Sequence, residues 1–137
     1  MIMDTSLEFC KELALSATSN DSTNTLDFDQ AQLLSVPLAL VVVVSGAPST
    51  AKATTVSVQG SDNNSSFAEL MSFKIAEADM VAGKHINMLL PLSFPRYLKL
   101  TIKPTAADSN AKITAFLTVS PDTPRENADF PFASTIA

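Results

Sequence analysis

The chain has 137 residues and a formal net charge of −5 at pH 7, with 46% apolar and only 17% charged residues. This length suits one domain, and the acidic balance argues against nucleic acid as the main ligand, because phosphate binding needs clustered Lys and Arg. The charged fraction is below the roughly 25% of ordinary soluble domains, so we expect part of the apolar surface to face a partner.

Cysteine content and the N-terminus indicate a cytoplasmic site of synthesis. Cys10 is the one cysteine, so no intrachain disulfide forms and an oxidising compartment is not indicated. The first residues lack a basic segment and carry Asp4 and Glu8, which does not fit a secretory signal. The longest apolar run, Leu38 to Val44, is far shorter than the roughly 20 residues that span a bilayer. We therefore predict a soluble protein.

Strand signals recur along the chain and are separated by turn residues. In chain order, the predicted strands are 13–18, 26–28, 38–44, 54–59, 67–73, 85–90, 96–103 and 112–119. LALVVVV at 38–44 is apolar on both faces, which predicts a central strand. Leu98, Leu100 and Ile102 alternate with polar residues, which predicts a strand with one buried face. The one helical candidate is Ala76–Ala82.

About eight strands with turn signals between them predict an all-β single domain, an antiparallel β-sandwich or jelly roll. The predicted organisation is an N-terminal arm at 1–12, the sandwich at 13–119 and an extended C-terminal arm at 120–137. The last segment contains three prolines and no alternation, so it cannot be a central strand. Both arms carry apolar side chains, which on terminal segments usually dock on the same domain or on a neighbour.

Residues that could support catalysis or metal binding do not form a recognisable set. His85 is the one histidine and no nucleophile motif precedes a serine, so we predict a structural histidine, a protein that is not an enzyme, and no cofactor. Cys10 with His85 is a poor dyad and cannot close a zinc site. Asp27, Asp29 and the turn 62–64 supply oxygen atoms, but without the spacing of a calcium loop. They are predicted to be strand-end and turn residues.

A first resemblance concerns the turn SDNNSSFAEL and the strand RYLKLTI. Together they resemble discoidin-like, galactose-binding jelly rolls over about thirty residues. That resemblance implies a carbohydrate-binding module of a phage or bacterial surface protein, with exposed aromatic side chains gathered at one end of the sandwich. Phe67, Phe73, Phe94 and Tyr97 are the candidates.

A second resemblance covers most of residues 1–119. The opening MIMDTSLEFCKELALSATSNDST resembles the start of small capsid cement, or decoration, proteins of short-tailed bacteriophages. The matching positions are Met1, Asp4, Thr5, Leu7, Phe9, Leu13 and Leu15. The middle of the chain follows the same family in order. This chain departs from the family pattern in having fewer glycines and Cys10 in place of a serine.

The second resemblance implies a non-enzymatic virion protein on the capsid exterior, made in the host cytoplasm. It would bind the major capsid protein, bridge neighbouring subunits and stabilise the head against internal DNA pressure, without direct contact with nucleic acid or membrane. Self-association is expected as a homodimer at two-fold positions, with a trimer as the alternative. The candidate capsid and intersubunit contacts are Met1, Ile2, Met3, Asp4, Leu7, Phe9, Phe130, Phe132 and Ile136.

Overall fold

The computed structural model describes residues 7–119, which include eleven β-strands and a 3₁₀ helix at Glu77–Asp79. The strands are β1 (Glu8–Leu15), β2 (Asn20–Asp21), β3 (Leu26–Asp27), β4 (Gln32–Leu33), β5 (Leu38–Gly46), β6 (Thr54–Ser61), β7 (Ala68–Ile75), β8 (His85–Leu89), β9 (Ser93–Phe94), β10 (Tyr97–Pro104) and β11 (Asp108–Val119). All pairings between these strands are antiparallel.

Two sheets and a short ribbon contain these strands. Sheet A has the order β1-β11-β5-β8; sheet B has the order β2-β10-β6-β7, with β3 also on β10; β4 pairs with β9. β2, β3 and β4 are successive pieces of one broken strand, and β9 and β10 are pieces of another. Counted this way, eight strands divide four and four between the sheets with jelly-roll connectivity, and consecutive strands lie in different sheets except for β6 and β7, which pair within sheet B. The predicted antiparallel sandwich is confirmed.

The core lies between the sheets and is built from alternate residues of the long strands. Val56 and Val58 of β6 face Leu100 and Ile102 of the neighbouring β10, and all four side chains are fully buried. Burying such a side chain contributes about 1.5–3 kcal/mol relative to leaving it exposed. Ile113 of β11 is fully buried in the same cluster. The predicted alternation along these strands is therefore correct.

β5 is the central strand that its composition predicts. It pairs with β11 on one side and β8 on the other. Leu40, Val42 and Val44 belong to the core, while Ala39 and Val41 on the opposite face are also buried. A strand buried on both faces requires a continuous apolar run, which explains its lack of alternation.

The sandwich begins earlier than the sequence patterns suggest. β1 starts at Glu8 and not at residue 13, because Phe9 and Cys10 are core residues and Cys10 pairs with Ala115. Its pairing with β11 has register shifts at three points, and Glu12 has a left-handed φ of 52°. These irregularities break the two-residue period, so alternation was detectable only from Leu13. Of the predicted helical segment, only the 3₁₀ turn forms.

Candidate functional site

Two prolines mark a corner of the molecule, at the point where the pairing of β5 with β8 in sheet A ends. Leu90 donates its N–H to the carbonyl of Leu38 at 2.9 Å, which is the last bond of this ladder. The next residues outward are Pro37 and Pro91, and neither has an N–H to donate. The regular sheet therefore ends here.

Beyond the prolines the two segments pair again in a different register. Leu34 donates its N–H to the carbonyl of Leu92 at 2.8 Å, and β4 pairs with β9. Phe94 of β9 is buried and contacts Phe28 edge to face, with ring centroids 5.0 Å apart. The aromatic pair and the half-buried Leu34 fix this ribbon to the core. Leu33 and Ser93, which pair with each other and alternate with these core-facing positions, consequently point outward.

The ribbon and the segments that lead into it carry large aliphatic side chains that are exposed. Among residues 7–119, the exposed aliphatic side chains at the corner are Leu33 (83% exposed), Val36 (57%), Leu89 (54%) and Leu92 (44%). Isolated exposed aliphatic residues are common, but a group on two paired segments is typical of an interaction surface. We call these four residues the apolar corner.

The apolar corner also lacks charge. Segments 30–51 and 85–95 contain no Asp, Glu, Lys or Arg. Just before β10, Arg96 donates two hydrogen bonds to Asp27, at 2.7 and 3.0 Å, and the arginine lowers the pKa of that carboxyl to about 2. An uncharged aliphatic surface has no charged groups to dehydrate, and depletion of charge is typical of the centre of a protein–protein interface.

Phe9 corrects one of the predicted contacts. Its side chain is fully buried in the core, so it stabilises this domain and is not accessible to a neighbouring subunit. Leu7 is half buried and packs against the same core. The other candidates, Met1, Ile2, Met3, Asp4, Phe130, Phe132 and Ile136, lie outside the described residues.

Cys10 and His85 are not brought together. Cys10 lies on β1 and His85 on β8, at opposite edges of sheet A. Burial raises the pKa of the Cys10 thiol to about 11, which disfavours the thiolate that a nucleophile requires. The His85 side chain is exposed, and its Nδ1 lies 2.9 Å from the carbonyl oxygen of Gly83. Both positions suit structural side chains.

The acidic and amide residues considered for calcium have local structural partners. Asp29 donates its N–H to the Asp27 carboxylate at 2.8 Å, and its φ of 73° marks a bend. Asn63 accepts the N–H groups of Ser65 and Ser66 at 3.0 Å, as a turn residue does. Within the described part of the chain, no three His, Cys, Asp or Glu side chains cluster as metal ligands would.

A polar cleft lies between the loops that flank β6 and β11. The Asp108 carboxylate accepts N–H groups from Ser49 at 2.7 Å, Thr50 at 3.3 Å and Asn110 at 3.0 Å. These bonds lower its pKa. Because the carboxylate already joins two loops, its role is to hold them together. Lys52 also lines this cleft.

The aromatic residues considered for sugar binding are not fully exposed. Phe94 is buried, whereas Phe67, Phe73 and Tyr97 are only partly exposed. The Lys99 ammonium lies 4.5 Å from the centre of the Phe67 ring, and the Arg96 guanidinium lies 4.8 Å from that of Tyr97. A cation therefore covers one face of each of these two rings.

The sequence contained a signal for the apolar corner that strand patterns do not capture. The absence of charge over 30–51 and 85–95 is visible in the sequence, but hydrophobic periodicity does not predict that Leu33 and Leu89 point outward.

No helix within residues 7–119 is long and apolar enough to cross a membrane.

Comparison with known proteins places the described domain in a family. No curated protein matches the chain in a sequence search. A solved structure titled "Crystal structure of PirA" is similar with a TM-score of 0.42 at 10% sequence identity, covering 74% of this chain and 94% of that one. Among family models, Bbp16 matches residues 9–119, which is nearly the whole sandwich. The chain therefore belongs to the Bbp16 family.

Proposed function

We propose that this protein is a virion structural protein that binds the outer surface of a phage head and cements neighbouring major capsid proteins. The observation that carries the proposal is the apolar corner, an uncharged aliphatic surface on an otherwise well-packed sandwich. The resemblance of the opening residues to phage cement proteins supplies the kind of partner. The protein acts by binding and carries out no reaction.

Modest contacts suffice for this role. Burying one exposed leucine at an interface contributes about 1–2 kcal/mol. A head offers many equivalent sites, and a protein that bridges two of them gains avidity without any new contact. Bridging two capsid subunits also opposes their separation under internal pressure, because the subunits cannot part without losing the bridging contacts.

The two arms are the second part of the proposed binding surface. Their apolar residues, Phe130 and Ile136 among them, would contact capsid subunits beside the sandwich. Deleting residues 121–137 leaves every described strand intact, so we expect a folded domain that binds heads more weakly. Undiminished binding by this truncation would remove the C-terminal arm from the proposal.

Co-sedimentation with expanded phage heads tests the apolar corner. The double variant Leu33→Asn/Leu92→Asn should bind at least about tenfold more weakly, since two aliphatic contacts are lost. Val81→Asn is the matched control, because Val81 is 51% exposed but lies in the turn before β8. Its binding should equal that of the wild type.

A wild-type protein that fails to sediment with heads refutes the proposal. Binding of a galactose-containing glycan on an array, together with no head binding, would favour the carbohydrate-binding alternative instead. Equal losses in the corner variant and the Val81→Asn control would indicate a general surface effect and contradict the assignment of the corner.

A further inference from the structure

The outer face of sheet A, which points away from sheet B, carries buried apolar side chains. Leu40 and Val42 of β5 belong to the core between the sheets. Ala39 and Val41 alternate with them and therefore point to the outer face, yet they are only 2% and 0% exposed. Phe116, which pairs with Val41, lies outside the core cluster and is 6% exposed. A side chain on an open sheet face keeps part of its surface in water, so these values indicate that further residues cover this face.

A buried carboxylate oxygen marks the same part of the sheet. Glu8 of β1 pairs with Phe116, and directly opposite residues of an antiparallel pair share a face. Oε2 of Glu8 is buried and has no hydrogen-bond partner among residues 7–119. On an open sheet edge this oxygen would be hydrated. Because burying an unpaired carboxylate oxygen is costly, we expect the covering segment to supply a hydrogen-bond donor.

The cover does not extend over the whole outer face. His85 and Leu89 of β8 also point outward, because they pair with outward residues of β5, and both side chains are exposed. β8 forms one edge of sheet A and β1 forms the other. The covered part therefore lies over β1, β11 and β5, on the side of the sheet where the N-terminal arm joins it.

We propose that residues 1–6 fold back over the outer face of sheet A, so that their apolar side chains cover Val41 and Phe116. Leu7 lies in a 3₁₀ turn and packs against the core, so the chain changes direction directly before β1 and does not continue alongside β11. This inference does not rest on the proposed function. It gives the N-terminal arm a place within its own domain, and the outer side of the arm stays accessible to a capsid subunit.

The length and composition of the arm fit this face. Six extended residues reach about 20 Å, at roughly 3.3 Å per residue, whereas β1 and β5 are about 10 Å apart, at roughly 4.8 Å per strand. The arm begins with two methionines and an isoleucine, which can therefore reach Val41. Methionine also makes favourable contacts with aromatic rings such as that of Phe116. Thr5 and Ser6, close to Glu8 in the chain, carry the hydroxyl and N–H donors that its Oε2 lacks.

The C-terminal arm fits the same face less well. It begins after Val119, where β11 ends, so it starts near the covered residues. Its first ten residues, SPDTPRENAD, contain no large apolar side chain, and Phe130 is the first. An arm with this sequence has nothing to pack on Val41 close to the point where it leaves the sheet.

Thiol labelling of Val41→Cys measures the cover, with the labelled site identified by mass spectrometry. In the full chain this cysteine should react slowly. Deleting residues 2–6 should increase its rate at least about tenfold, because a covered side chain is otherwise reached only through local opening. Ile2→Asp/Met3→Asp keeps the length of the arm and should have the same effect, since burying unpaired charges is costly.

Three controls accompany this measurement. His85→Cys places a thiol on the exposed part of the same face and should react rapidly with or without residues 2–6. Deleting residues 121–137 should leave Val41→Cys protected. Cys10 points into the core, so it should stay unreactive in every folded variant and reports any general unfolding.

Nuclear Overhauser contacts in the wild type provide a readout that needs no variant. The methyl groups of Ile2 or Met3 should contact the ring of Phe116, and their absence overturns the proposal even where a truncation unfolds. Continued protection of Val41→Cys without residues 2–6 also overturns it, as does release by deletion of 121–137. The measurements contain no phage heads, so either outcome leaves the proposed function standing, and a failure to bind heads leaves this inference standing.

Discussion

Gly60 offers a specific test of how Pro95, between β9 and β10, packs on β6 of sheet B. A Cβ atom at Gly60 would lie 2.5 Å from Cγ and 3.0 Å from Cδ of Pro95, and 2.9 Å from Cδ1 of Leu70. The leucine methyl group is the end of a flexible side chain and can rotate away. The proline ring cannot, because it is part of the backbone that leads from β9 into β10.

These distances set the expected effect of Gly60→Ala. Overpacking a tight site costs about 1–3 kcal/mol. Replacing glycine also restricts the unfolded chain, which returns about 0.5–1 kcal/mol. We expect the free energy of unfolding to fall by about 0–2.5 kcal/mol. In a Pro95→Ala background the clash is absent, so Gly60→Ala should be neutral or slightly stabilising, with a coupling energy of about 1–3 kcal/mol.

Urea denaturation followed by far-UV circular dichroism measures this double-mutant cycle. All four proteins are compared at one concentration, because self-association makes apparent stability concentration-dependent. Gly83→Ala is the control: no atom lies within 4 Å of its added Cβ, but its φ is +90°. It should destabilise by about 1–2 kcal/mol through backbone strain, and Pro95→Ala should not rescue it. A coupling below about 0.5 kcal/mol between Gly60→Ala and Pro95→Ala would refute the packing argument.

Three further predictions concern the core and the titratable groups. Leu100→Ala should lower the free energy of unfolding by about 2–5 kcal/mol, whereas Leu33→Ala should change it by less than about 0.5 kcal/mol, as measured by urea denaturation. The Asp27 carboxyl has a pKa of about 2 in the folded protein and 3.8 as a free group, so its pairing with Arg96 stabilises the fold above pH 3.8, and this stabilisation is lost as the pH falls towards 2. Asp27→Asn should therefore reduce the loss of stability between pH 4 and pH 2. An unchanged loss in this range would contradict the ion pair. Cys10 should react with a thiol reagent at pH 8 only as fast as the protein unfolds, because burial shields the thiol and raises its pKa to about 11. Rapid reaction of the native protein would contradict this burial.

The long strands were predictable from the sequence because each buries one or both faces. Leu98, Leu100 and Ile102 had to face one side once the segment was a strand, and all three are fully buried. The apolar run 38–44 could only be central. The start of β1 was not predictable, because register shifts and the left-handed Glu12 remove the periodicity on which such predictions depend.

The exposed surfaces were predictable only in part. The charge-free segments are visible in the sequence, and so are Pro37 and Pro91. That these prolines face each other depends on the pairing of β5 with β8, which joins residues far apart in the chain. The burial of Phe9 also depends on strand pairing, because an apolar side chain near the N-terminus is compatible with either an arm or a core position.

Composition and local alternation by themselves determined an antiparallel sandwich with a central strand 38–44, because side-chain period and burial are properties of each strand alone. Only the tertiary structure decided which leucines of the uncharged segments point outward and that β8 ends a sheet without charges or bulges. Those features depend on which strands pair with each other. The paired residues are far apart in the sequence, so no local sequence pattern predicts the pairing.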